Sequence, residues 1–99
     1  MQLISDKTLQ EIERALGLDF LDKEKRASTM TEIVALISNR AGLRIIKEFS
    51  EEEAEKFNQI PENNLEEMEN YILAKNPNAK NIFEEEAQKT KEDLLKMKP

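Results

Sequence analysis

Histidine and cysteine are both absent from the 99 residues, and the two absences exclude much of protein chemistry. Histidine has the ordinary side-chain pKa nearest neutrality and is the commonest metal ligand. The cysteine thiolate is the strongest nucleophile near neutral pH and the soft-metal ligand. Without them there is no Cys/His zinc cluster, no His or Cys haem ligation, no Cys–His dyad and no Ser–His–Asp triad. Tryptophan is missing too, and with two glycines and three prolines irregular backbone is expected to be rare and short. No apolar run comes near the about 20 residues that cross a bilayer. The start, Met1 to Lys7, lacks a basic stretch leading into an apolar one, so no secretory leader is expected. A disulfide-free chain of this kind suits the cytoplasm.

What is present is a polar but foldable mixture, 38% hydrophobic and 36% charged. This length supports one domain over residues 1–99 and not two cores. Charge is uneven within the net −6: residues 48–72 hold nine acids (Glu48, Glu51, Glu52, Glu53, Glu55, Glu62, Glu66, Glu67 and Glu69) against Lys56 alone. No basic stripe with interleaved aromatics appears, so nucleic acid is not an expected ligand. A basic protein partner suits the asymmetry.

Capping residues and apolar period predict an all-α fold, a compact bundle of four to five helices around a long central helix at about 22–48. Ser5 or Asp6 caps a first helix carrying Leu9, Ile12, Ala15 and Leu16, and Gly17 ends it in the left-handed C′ position with Leu18 folding back. Phe20 and Leu21 are expected to plug the core. Asp22 caps the long helix, which carries two apolar stripes: Met30, Val34, Ile37, Ala41, Ile45, and Ile33, Leu36, Leu43, Ile46. Two stripes mark it as surrounded by neighbours. Gly42 inside it costs about 1 kcal/mol relative to alanine, which predicts either a close helix crossing or a break. Phe49-Ser50-Glu51-Glu52-Glu53-Ala54 reads as a staple and capping box opening a third helix. A fourth follows Asn63 or Asn64, with Glu67 completing a second box and Leu65, Met68 and Ile72 buried. Asn76-Pro77 reads as cap and first position of a fifth helix reaching about Met97. Tyr71 and all four phenylalanines are assigned to the core.

Three groups of residues are candidates for function. The acidic set Glu51, Glu52, Glu55, Glu62, Glu66, Glu67 and Glu69 is a candidate partner-binding surface; otherwise it is a solvated face. Arg40 and Arg44, one turn apart on the most apolar helix, either form a cationic pocket for an anion or border the core and pair with acids of the 48–72 segment. The narrow stripe Phe83, Ala87, Thr90, Leu94 and Met97, continuing from Ala79, is an a/d-like seam able to lie along a neighbouring helix or a second copy. Di-metal bundles need inward Glu-x-x-His motifs and calcium loops a glycine-centred acidic turn; neither pattern is here, so no catalytic, cofactor or metal residue is assigned.

From about Leu9 to Met97 the layout resembles a family of small, acidic, all-helical bacterial proteins of unknown function, found mainly in uncultured candidate-phylum bacteria. The similar features are Leu16-Gly17-Leu18-Asp19, the run from Arg40 to Glu53 with its arginine-flanked aliphatics before Ser50-Glu51-Glu52-Glu53, and a final helix after Asn76-Pro77-Asn78. Gly42 departs from the aliphatic run of that pattern. The resemblance implies a helical bundle and no activity.

The function expected from these features is a non-enzymatic protein–protein interaction module, able to associate with itself or a different protein. The alternatives are an acidic inhibitor that mimics nucleic acid and binds a basic protein, and a carrier of a small apolar ligand. The helical reading carries all of them: far-UV circular dichroism in plain buffer is expected to be dominated by helix, and a β or random-coil spectrum would refute it.

Overall fold

The computed structural model describes residues 3–97; Met1, Gln2, Lys98 and Pro99, the ends of the expected 1–99 domain, lie outside the described residues. Five helices follow in order: α1 (Asp6–Ala15), α2 (Lys23–Ile46), α3 (Glu51–Asn58), α4 (Leu65–Lys75) and α5 (Ala79–Lys96), with a short 3₁₀ turn at Leu18–Phe20. Among the described residues there is no strand, and no helix is long and apolar enough to cross a membrane. The bundle measures 45 × 24 × 21 Å. α2, roughly 36 Å long at 1.5 Å per residue, sets the long dimension.

Local chemistry accounts for most helix ends. The Ser5 hydroxyl accepts from the Thr8 N–H, and the Asp22 carboxylate from the Lys25 N–H. Ser50 and Glu53 form a complete capping box. Gly17 sits at φ 70°, the left-handed region, and Leu18 turns back into the core. At α4 the second box is not closed: Asn64 accepts from the Glu67 N–H, but the Glu67 carboxylate takes the Asn64 side-chain amide instead of its backbone N–H. The fifth helix starts two residues later than predicted. Asn76 ends α4, and its side chain accepts from the Asn78 N–H and donates to Glu48. Pro77 therefore precedes α5, and Asn78 is its N-cap.

The core joins Ile33, Ile37, Ala41 and Ile45 of α2 to Ala79, Ile82, Phe83 and Ala87 of α5, with Ile12, Leu18 and Ile72. α5 is the surface on which α1, α2 and α4 pack. Leu3 and Ile4, ahead of the first helix, are fully buried in the same core, although nothing in their sequence setting marks them. α3 is held mainly by aromatic edges: Phe49, Phe57 and Tyr71 form a triangle with ring centres 6.0–6.1 Å apart. The Tyr71 hydroxyl donates to the Glu53 carbonyl.

Four packing expectations are corrected. Phe20 is 90% exposed and plugs nothing, because the turn that follows Gly17 spends its inward position on Leu18; Leu21 is also exposed. The second stripe of α2 is covered only in part: Ile33 is buried, but Leu36 and Leu43 face outward, since α5 seats on one side of the helix only. Leu65, at the first position of α4, is exposed as well. Finally, α2 is continuous through Gly42, and a Cβ there would meet no atom within 4 Å. Neither a break nor a close crossing explains the glycine. Gly42→Ala is therefore expected to stabilise the fold by about 1 kcal/mol, raising Tm by about 4–8 °C. By contrast Ile45→Ala, at a fully buried site, is expected to cost about 2–5 kcal/mol, read in the same thermal or urea melts.

Candidate functional site

The two arginines are fixed by their position on α2 relative to α5. Arg40 donates to the Thr90 hydroxyl (3.2 Å) and to Asp93 (3.0 Å), and Arg44 to Glu86 (2.8 Å) and Glu85 (3.0 Å). Rising numbers on α2 meet falling numbers on α5, so the helices run antiparallel. The expected partners in the 48–72 segment are wrong. That segment's helices are short and lie elsewhere, whereas α5 runs beside α2 along its length. Both guanidiniums face carboxylates of the same chain, Arg40 that of Asp93 and Arg44 those of Glu85 and Glu86.

Glu86 is the unusual member of this set. Its neighbours Glu84 and Glu85 extend a glutamate triplet that reads as solvated surface, yet Glu86 is 7% exposed. Burial pushes its carboxyl up, but the Arg44 hydrogen bond, with Lys89 3.5 Å away, outweighs that and leaves it below the usual carboxylate range. Arg44 is raised in turn, first by Glu86 and then by Glu85. Glu53 is lowered chiefly by the Ser50 backbone N–H that it accepts. Glu84 binds the start of α1, accepting from the Ser5 N–H (3.0 Å) and the Thr8 hydroxyl (2.6 Å). Glu84, Glu85 and Glu86 are thus divided between solvent and structure by the pitch of α5.

The α5 seam is used inside the chain. Phe83, Ala87 and Thr90 are buried, and Leu94 packs against the core. Only Met97, 77% exposed, projects outward. The acidic set divides in two. Glu51, Glu52 and Glu55 are exposed on α3, with Glu52 paired to Lys56. Glu62, Glu66 and Glu69 instead stand along an open cleft, and Glu67 is occupied at the α4 cap.

That cleft has a volume of about 1050 Å³. It lies between α2 and α4; α2 and α5 are packed directly on each other. Val34, Ala35, Ser38, Gly42, Leu43 and Ile46 form the α2 wall, Leu65, Met68 and Ile72 the α4 wall, and Phe57 reaches in from α3. The buried Leu3 and Phe83 lie at its base. Its only charged lining residues among those described are Glu62, Glu66 and Glu69. The α2 wall combines Leu43 and Ile46 of the second apolar stripe with Val34 of the first, and Gly42 is part of it. These apolar positions were legible in the sequence; that they share an open wall was not.

Among the described residues, no group of three or more Asp and Glu is placed to hold a metal ion, and no buried side-chain nitrogen or oxygen lacks a hydrogen-bond partner.

Because Glu86 and Glu53 have folded pKa values below their unfolded ones, the unfolded chain binds more protons at acid pH. Their contribution is complete above the unfolded value and is lost as pH falls through the folded one. Tm is expected to drop between about pH 5 and about pH 2, with a flatter profile in Glu86→Gln. At neutral pH, Arg40→Met with Arg44→Met should lower Tm by about 5 °C or more. Adding Glu86→Leu should restore much of the loss, since no buried carboxylate is then left without its guanidinium.

In comparisons with known proteins, no family model, no curated protein and no solved structure matches the chain.

Proposed function

We propose that this protein is a non-catalytic interaction module that docks a protein partner in the cleft between α2 and α4. The single observation that carries the reading is the open apolar wall formed by Val34, Leu43, Ile46, Leu65 and Met68. Leu43 and Leu65 are 64% and 67% exposed, and contiguous apolar surface of this kind marks sites that another molecule covers. The polar clusters, in contrast, are consumed by the α2–α5 and α1–α5 contacts. Self-association through the α5 seam is set aside because its central residues are internal; a second copy would have to use the cleft.

A second reading, a carrier of a small apolar ligand, draws on the same volume, which matches the upper end of the usual ligand-pocket range, about 300–1,000 Å³. The length and openness of the cleft favour a protein segment over a small molecule, which enclosed pockets bury more completely.

The test uses Gly42→Phe, since a Cβ at Gly42 meets no atom within 4 Å and the position lines the cleft. Wild type and variant serve as baits in the native host. A protein retained by wild type and lost on the variant supports docking in the cleft. Identical capture by both refutes it. Light scattering on the same two proteins separates self-pairing from a different partner, and a fatty-acid-induced rise in Tm that the variant abolishes would favour the carrier.

A further inference from the structure

We infer that the occupant of the α2–α4 cleft is an amphipathic helix of another protein, with lysines or arginines beside its apolar stripe. This rests on the docking reading of the same cleft and adds the chemistry of the partner.

Three observations point to it. First, shape: the α2 wall extends from Thr31 to Ile46, roughly 22 Å at 1.5 Å per residue. A helix about 10 Å across and that long fills roughly 1700 Å³, so a cleft of about 1050 Å³ takes up one face and leaves the other in water. An extended strand has no sheet edge here to pair with, whereas a helix laid between two helices completes a bundle by apolar contact.

Second, Gly42. In a helix interior glycine costs about 1 kcal/mol relative to alanine, and the chain's own packing gives no reason for it, since a Cβ would meet nothing. The space that a side chain would enter is the cleft. Glycine there, in line with Ala35 and Ser38, lets an incoming helix approach the α2 backbone closely.

Third, charge. Among the described residues, the cleft is lined by Glu62, Glu66 and Glu69 with no lysine or arginine. The segment around them, residues 48–72, has Lys56 as its only base. An acidic margin attracts a basic partner over the Debye length of about 8–10 Å and repels an acidic one. A second copy, itself at net −6, is the less favoured occupant on this ground.

The probe is a displayed library of random peptides of about 18 residues, selected on wild type and counter-selected on Gly42→Phe, with Kd of the winners measured by fluorescence anisotropy. Expected winners carry apolar residues at helical spacing flanked by Lys or Arg. They should bind about tenfold more weakly to Gly42→Phe and to Leu43→Lys. Weakening of about fivefold is expected for Glu62→Gln with Glu66→Gln, or for raised salt on wild type. Circular dichroism melts confirm that each variant is folded, and Leu43→Lys alters a side chain that is exposed already. Winners that need Gly42 yet lack helical period or positive charge overturn this inference and leave the docking reading in place. An absence of winners that depend on Gly42 overturns both.

Discussion

The antiparallel contact of α2 with α5 is the constraint from which the remainder follows. Ile33, Ile37, Ala41 and Ile45 recur every four residues, so they share one side of α2, and Ile82, Phe83 and Ala87 meet them from α5. Fully burying each isoleucine contributes about 1.5–3 kcal/mol. Arg40 and Arg44 flank this apolar strip and fix its register, because each guanidinium reaches two oxygens of α5. Directional, charge-assisted hydrogen bonds of this kind discriminate between alternative alignments more than apolar contact can.

Once α5 is committed to α2, it must also receive α1, and the same residues arrange this. Glu84 accepts from the Ser5 N–H and the Thr8 hydroxyl at the start of α1, where a carboxylate also suits the helix dipole. Leu3 and Ile4 are drawn into the core by that contact. Three consecutive glutamates thus have three fates. Glu84 caps a neighbour, Glu85 is an exposed ion-pair partner, and Glu86 is buried against Arg44. Each successive residue turns about 100° around the helix.

Seating α5 on one side of α2 leaves Val34, Leu43 and Ile46 on a side that α5 does not cover. α4 stands across from these residues but does not close on them, and the cleft results. The two sides of α2 therefore differ in kind: one is consumed by folding, the other stays open. Gly42 sits on the open side. Its lack of any internal neighbour shows that the fold does not require it, whereas Gly17 is required by the positive φ of its turn. Of the chain's two glycines, one is set by its turn and the other lines the cleft.

The number of helices, their caps at Ser5, Asp22, Ser50 and Asn64, and the inward stripe of α2 were written in the sequence, because capping and amphipathic period are local. Four features were not. Phe20 points outward although it is among the largest apolar residues; Leu3 and Ile4 are core although they precede the first helix; the arginines pair with α5 rather than with the acidic segment; and part of the second stripe of α2 stays open. Each of these depends on which helix lies beside which, and that is decided by contacts between residues about 40 to 80 positions apart, where the chain's local propensities carry no information. The sequence alone determined rods with an oily side and a charged side. The tertiary structure decided which oily side is sheltered and which faces water, because a single helix can cover only one side of its neighbour.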